Sequence, residues 1–323
     1  MTTIAVTGAS GFCGSHVAAT AAARGADVLC VGRRPGPVGR HVPWDAAREA
    51  PDLSGADLVV HCAAAVGDPV PGSRAEATMR AVNVDGTARL MEAAAGRPVV
   101  WVSSASVYAP GPGRARIAED HPVRGHLNAY GRTKAAGEAL ALAAGAVVLR
   151  PRAVYGAGDP HLVPRLLSRV RRGLLLLPGP SVPLSLTAVE NLADACLMAA
   201  GWPPGAYNIA DPAAYDRDEA IRTVLRAHGV RARVGHLPLP AARAAASAAQ
   251  ALARLRPHTE PALTHYAVDQ LAHSVVLDVS KAQAQGWSAS RALLDYATAT
   301  ATGRTPGMAT AAGGGAASAA ASP

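Results

Sequence analysis

Through the first 150 residues, short apolar runs alternate with longer stretches in which alanine recurs at helical spacing. Residues 4–7 read as a strand, followed by a glycine-rich turn and a helix to about residue 24. Residues 28–31 and 58–62 are further strands, 78–95 is helical, 99–103 is a strand, 128–144 is helical, and 147–150 is another strand. These strands are continuous apolar runs, as a sheet covered on both faces requires. Strands alternating with helices predict an α/β fold, a doubly wound parallel sheet of Rossmann type. After Pro151 proline and glycine become frequent and the periodicity weakens. Residues 1–156, with a returning segment at about 183–211, are therefore expected to form the sheet domain. Residues 157–182 and 212–302 would form a smaller substrate-binding part. From 303 to 323 the chain is nearly all Ala, Gly, Ser, Thr and Pro, too poor in large apolar side chains to order itself.

Composition narrows the classes. A length of 323 residues suits one large α/β domain, or a large domain plus a small one. Half the residues are hydrophobic and 17% are charged, which provides for a sizeable core. Cys13, Cys30, Cys62 and Cys196 stand far apart with no C-x-x-C pair. That argues against a structural zinc site or a disulfide framework and fits a reducing, cytoplasmic setting. No apolar run approaches 18 residues, so no transmembrane helix is expected, and the N-terminus enters a strand pattern with no signal sequence. The formal charge is +8, but only Lys134 and Lys281 are lysines, and the arginines are scattered apart from Arg169, Arg171 and Arg172. Neither nucleic acid nor membrane is an expected partner; a small-molecule substrate is, and a homodimer is compatible with the chain. His121, His126, His161, His236 and His258 show no ligand spacing, so no metal is expected.

Thr7-Gly8-Ala9-Ser10-Gly11-Phe12-Cys13-Gly14 joins the first strand to the first helix. Glycines at 8, 11 and 14 let the backbone turn tightly, approach a pyrophosphate and pack the helix on the sheet. The helix N-terminus, with Ser10, Phe12 and Cys13 around it, adds free N–H groups and partial positive charge. This position points to a dinucleotide cofactor, although the G-x-x-G-x-x-G spacing also suits a plain turn in a chain with 32 glycines. The second strand ends in Gly32-Arg33-Arg34, where an NAD site would carry an acidic residue. A guanidinium suits a 2′-phosphate, which favours NADP (as NADPH) over NAD; an ordinary solvated arginine pair is the alternative. Asp45, at the next strand end, could face the adenine amino group.

Tyr130-Gly131-Arg132-Thr133-Lys134 lies in a helical stretch, so phenol and ammonium share a face at i and i+4. A tyrosine near pKa 10 is a poor acid–base group at neutral pH, and a nearby ammonium would lower its pKa toward the working range. Upstream, Ser103-Ser104-Ala105-Ser106-Val107-Tyr108 follows a strand. A hydroxyl there would sit at the rim of the crevice, within reach of a substrate carbonyl oxygen.

With these stretches in place the chain resembles the extended short-chain dehydrogenase/reductase, or epimerase/dehydratase, family. The resemblance is carried by residues 7–14, His61-Cys62-Ala63-Ala64, Asn83-Val84-Asp85-Gly86-Thr87, 103–108, 130–134 and Leu149-Arg150-Pro151-Arg152-Ala153-Val154-Tyr155-Gly156, in the family's order. Val189-Glu190-Asn191-Leu192, Tyr207-Asn208 and residues 278–287 look like its later segments. The match covers about residues 3–210 well and the rest loosely. It implies an oxidoreductase with Tyr130 as general acid, Ser104 as the catalytic hydroxyl, and Lys134 holding the nicotinamide ribose and tuning Tyr130. It further implies that the Asn83 backbone holds a proton-relay water. Ala63 and Ala64 would lie beside the adenosine and pyrophosphate, and Pro151 and Val154 would complete the cofactor site. Ser106, His126 and His161 are candidate substrate contacts.

Departures from the family pattern select a branch. Ala105 and Ser106 stand where the dehydratases carry an Asp-Glu pair, so dehydration lacks its acid. Ala153 replaces the asparagine of many nucleotide-sugar enzymes, and residues 183–190 lack their diphosphate-binding arginine, leaving Arg152, Arg165 or Arg169 as replacements. The remaining pattern resembles 3β-hydroxysteroid-dehydrogenase-like and dihydroflavonol-reductase-like ketoreductases. Residues 174–177, four leucines, would line an apolar pocket or else form a buried structural segment. The leading expectation is an NADPH-dependent ketoreductase acting on a small apolar or polycyclic molecule. A nucleotide-sugar 4-epimerase or 4-ketoreductase is the alternative enzyme, and a dinucleotide-sensing regulator is the non-enzymatic one.

Overall fold

Apolar strands with no polar face need cover on both sides, and the chain supplies it with helices between them. The computed structural model describes residues 1–255, 261 and 263–303; His258 and the low-complexity tail from 304 on lie outside the described residues. β1 (Thr3–Thr7) leads into α1 (Phe12–Ala23), β2 (Asp27–Gly32), β3 (Arg40–Pro43) and β4 (Leu58–His61). Helices α2 (Arg74–Arg80) and α3 (Gly86–Ala94) flank a π-helical turn at Ala81–Asp85 and precede β5 (Val99–Val102). Next come α4 (Ala129–Ala143), β6 (Val147–Pro151), β7 (Val154–Tyr155), α5 (Leu162–Arg169) and β8 (Leu174–Pro178). β9 (Pro183–Leu184), β10 (Thr187–Ala188), α6 (Val189–Met198) and β11 (Gly205–Ile209) follow. The last part holds β12 (Tyr215–Asp216), α7 (Arg217–Ala227), β13 (Arg233–Leu237), α8 (Leu239–Leu255), α9 (His265–Ala272), α10 (Ser280–Gln283) and α11 (Leu293–Ala301).

Seven strands form one parallel sheet in the order β11-β6-β5-β4-β1-β2-β3. Successive side chains point to opposite faces, and both faces are buried. Val6, Val60, Val100 and Leu149 pack against Val17, Ala18, Ala21 and Leu192 of α1 and α6. Ala5, Val59, Trp101 and Val148 pack against Leu90, Ala94 and Ala141 of α3 and α4. The strand order reverses between β1 and β4, leaving a crevice outside their carboxyl ends. The doubly wound parallel fold expected from the apolar runs is the one observed.

The first helix of the 78–95 stretch starts earlier than its apolar pattern suggests. The Ser73 hydroxyl accepts the Glu76 N–H at 3.3 Å, and the Glu76 carboxylate accepts the Gly72 N–H at 2.6 Å. This reciprocal cap holds the N-terminus of α2 at Arg74. The four-leucine run is β8, paired in parallel with β13. Leu175 and Leu177 join Leu225 in a buried cluster, while Leu174 and Leu176 are exposed. The run alternates as a half-buried strand rather than forming a wholly buried segment. No helix among the described residues is long and apolar enough to cross a membrane.

Candidate active site

The glycine turn occupies the crevice. Gly8 has φ +67°, and its N–H donates to the Val31 carbonyl at 2.9 Å. A Cβ on Gly8 would fall 2.8 Å from the Ala63 backbone, and one on Gly14 would fall 2.3 Å from the Gly8 carbonyl oxygen. Only glycine permits these approaches, which lay the turn flat against β4 and α1. Gly11 is the N-cap of α1 and supplies no side-chain cap, so no cap claims the first N–H groups of the helix. A cradle that any Cβ would fill, backed by such an uncapped helix end, fits the pyrophosphate of a dinucleotide. Ser10, Phe12 and Cys13 are partly buried around it. The Thr7 hydroxyl meets His61 Nδ1 at 2.7 Å and accepts the Ala63 N–H at 3.3 Å, tying β1 to the Ala63–Ala64 loop. Arg33 and Arg34 are exposed just past β2, and neither enters an ion pair among the described residues. Asp45 follows β3; its carboxylate accepts the Ala47 N–H at 3.0 Å and pairs with Arg48 at 3.5 Å.

Ser104 follows β5, and its hydroxyl accepts the Ser106 N–H at 3.2 Å. It is also a hydrogen-bond partner of the Tyr130 phenol. Gly131 makes this meeting possible, because a Cβ there would lie 2.7 Å from the Ser106 carbonyl oxygen. The first turn of α4 therefore presses directly on the Ser104–Ser106 turn. Asn128 holds that helix end by accepting the Gly131 N–H at 2.9 Å.

Lys134 departs from expectation. Its Nζ donates to the Val102 carbonyl at 2.7 Å and sits 3.7 Å over the Trp101 ring. Burial pulls its pKa down to about 7. With the ammonium anchored on β5, it does not lower the phenol: burial pushes Tyr130 above its ordinary value, with Tyr266 and Cys13 adding to the rise. Asn83 sits in the π turn. Its side chain donates to the Ala65 carbonyl at 3.0 Å and the Thr133 hydroxyl at 3.1 Å, and accepts the Ala65 N–H at 2.8 Å. Its backbone carbonyl, implied by the resemblance to hold a water, already accepts the Thr87 hydroxyl at 2.9 Å.

Pro151 is buried at the end of β6, and Val154 packs against the core between the sheet and α1 and α6, as do Cys13 and Cys62. The Ser106 hydroxyl is buried with no partner among the described residues. The His126 Nε2 meets the Val107 carbonyl at 2.9 Å, and exposed His161 donates its N–H to Asp159 at 2.8 Å. A cavity of about 390 Å³ involves Gly156, Asp159, His228 and Tyr296, but not Ser104, Tyr130 or Lys134.

Several groups here were not singled out in the sequence. Glu138, one further turn along the Tyr130–Lys134 face, pairs with Arg150 and accepts the Ser103 hydroxyl at 2.5 Å. Cys62 and Cys196, distant in sequence, hydrogen-bond each other with Cys13 nearby, and burial pushes Cys13 up to about 12. Tyr266 of α9 is an electrostatic neighbour of both Tyr130 and Arg152. Burial pulls Arg152 down to about 10. The i,i+8 spacing alone pointed to Glu138; the other groupings are made by the fold.

A glycine cradle at the switch point of a parallel sheet, with Ser104 past the end of β5 beside Tyr130 of α4, defines a dinucleotide-dependent enzyme of the short-chain dehydrogenase/reductase type. The chain belongs to the NAD dependent epimerase/dehydratase family, whose profile matches residues 4–210. It is an oxidoreductase acting on CH–OH or C=O groups. Among its relatives is the 4-hydroxy-2-methyl-3-oxo-4-farnesyl-3,4-dihydroquinoline-1-oxide ketoreductase of Stigmatella aurantiaca, 31% identical over 72% of this chain and 72% of that protein. The 2-alkyl-3-oxoalkanoate reductase of Shewanella oneidensis is 29% identical over 88% of this chain and 81% of that protein. Among solved structures, MoeE5 in complex with UDP-glucose and NAD is similar with a TM-score of 0.71 and 26% identity, covering 94% of this chain and 98% of that one.

Proposed function

We propose that the protein is an NADPH-dependent ketoreductase that converts a carbonyl of a small, largely apolar molecule to the alcohol. The observation that carries this reading is the Tyr130 phenol, desolvated and hydrogen-bonded to Ser104 at the carboxyl edge of the sheet. A phenol held above its ordinary pKa is protonated across the neutral range, the state a general acid needs before it acts. A nicotinamide cofactor bound here supplies the hydride to the carbonyl carbon. Ser104 orients the carbonyl oxygen by a hydrogen bond, and Tyr130 delivers its proton to that oxygen as the C–H bond forms. Lys134 holds the ribose edge, and Asn83 keeps the Ala63–Ala65 loop in place. Gly8, Ser10, Gly11, Phe12, Cys13 and Gly14 cradle the pyrophosphate, Ala63 and Ala64 leave room for the adenosine side, and Pro151 and Val154 flank the nicotinamide side. Arg33 and Arg34 bind the 2′-phosphate, and Asp45 lies toward the adenine. The described residues of 157–182 and 212–302 form the substrate-binding part, and the Ser106 hydroxyl is a further candidate contact. The relatives named for ketone reduction support this reading.

The likeness to a UDP-glucose complex favours a second reading, a nucleotide-sugar 4-epimerase or 4-ketoreductase. Ala153 and the arginine-free segment 183–190 weigh against it. Tyr130→Phe tests the leading reading: turnover should fall by about 10² to 10⁴, the usual worth of general acid catalysis, with NADPH binding retained. Near-normal turnover in that variant would remove Tyr130 from the mechanism.

A further inference from the structure

Four arginines are buried among the described residues: Arg114, Arg150, Arg152 and Arg217. Three face a carboxylate: Arg114 meets Asp269 at 2.7 Å, Arg217 meets Asp218 at 2.8 Å, and Arg150 pairs with Glu138. Arg152 has none. Its terminal nitrogens donate to the Ser185 and Gln270 carbonyls at 2.7 and 3.1 Å, and its Nε is buried with no partner among the described residues. Carbonyl oxygens fix the guanidinium but do not neutralise it. Arg152 and Arg114 share the neighbourhood of a single carboxylate, Asp269, which Arg114, His273 and the Gly111 N–H already engage. Among the described residues that contact these two guanidinium groups, one buried positive charge is left over, a costly arrangement without a counter-ion.

The surroundings tie this charge to the reaction centre. Arg152 directly follows β6, and the next residue, Ala153, is exposed with φ +46°. A non-glycine residue in the left-handed region carries strain of the kind found at ligand sites. The Tyr266 phenol is an electrostatic neighbour of Arg152 and of Tyr130, with Asp68 also near it.

We propose that Arg152, assisted by Tyr266, binds a single carboxylate carried by the substrate close to the reacting ketone, so that the substrate class is an oxo acid. This deepens the ketoreductase reading and rests on it. One surplus charge, with the Nε–H unpartnered among the described residues, matches a monoanion; a diphosphate would need several charged donors, and Arg152 is the one buried arginine here without a carboxylate.

The test compares 3-oxodecanoate with its methyl ester, using NADPH and the full chain. The wild-type protein should prefer the acid by about ten- to a hundredfold in kcat/KM, the worth of one charge-assisted hydrogen bond, with the difference carried by KM. In Arg152→Gln that acid-to-ester preference should fall to near unity. Equal use of acid and ester by the wild type, or an undiminished preference in Arg152→Gln, would overturn the proposal. Should Arg152→Gln fail to fold, the wild-type preference and its Tyr266→Phe counterpart decide. Calorimetry with decanoate against decanamide reads the anion site without any ketone. Decanoate-selective binding with no ketone reduced would sink the ketoreductase reading and leave the site standing; no selectivity would sink the site. Micromolar UDP binding that Arg152→Gln abolishes would assign the guanidinium to a diphosphate and overturn the oxo acid.

Discussion

Lys134 shares the α4 face with Tyr130 that its spacing implied, and its hydrogen bond and ring contact lie on β5. Its i+4 spacing from Tyr130 was legible, as was the serine on the adjoining strand end. Its Val102 and Trp101 partners come from β5, some thirty residues away, and no local spacing encodes them. The consequence is measurable. With a folded pKa of about 7 against an ordinary 10.5, the folded protein binds fewer protons than the unfolded chain between those values. Stability therefore rises with pH across that window, and the burial penalty is full only below about pH 7. Lys134→Met should thus gain stability relative to wild type at pH 6, with the gain shrinking toward pH 10. Urea denaturation of the cofactor-free proteins checks this; a difference independent of pH would contradict it.

At the scale of elements, long apolar runs made the sheet strands legible, while two-residue strands such as β7, β9, β10 and β12 carry no readable period. The start of α2 was hidden because a cap, not an apolar face, sets it. Helix α4 carries the most chemistry, with Tyr130, Lys134 and Glu138 on one face. The Glu138–Arg150 pair is buried, and Arg150 also donates to the Tyr108 hydroxyl at 3.0 Å and the Glu119 carbonyl at 2.9 Å. Glu138→Ala would leave that guanidinium uncompensated and should destabilise the fold by about 3–5 kcal/mol. A loss under about 1 kcal/mol in a denaturant titration would mean that the pair is not what holds α4 to the sheet.

For the whole molecule, the strand order places the crevice, and the crevice explains why motifs scattered over 150 residues act together. The glycine turn, β2 end and β5 end all open on the same edge of the sheet. The grouping of Arg152, Tyr266 and Asp269 was not legible, because it depends on how the chain after β11 returns over that edge. Arg33 and Arg34 stand just past β2 where an NAD site would carry an acidic residue, so NADPH should bind about ten- to a hundredfold more tightly than NADH. Calorimetry with each cofactor checks this, and Arg33→Ala with Arg34→Ala should erase the preference; equal wild-type affinities would contradict the assignment. The most direct test of the central claim is the stoichiometry of cofactor use, read as NADPH absorbance on mixing the purified protein with a panel of oxo acids and polycyclic ketones. A ketoreductase consumes one NADPH per carbonyl reduced. No net consumption with any ketone, together with interconversion of UDP-sugars on a retained cofactor, would contradict the account.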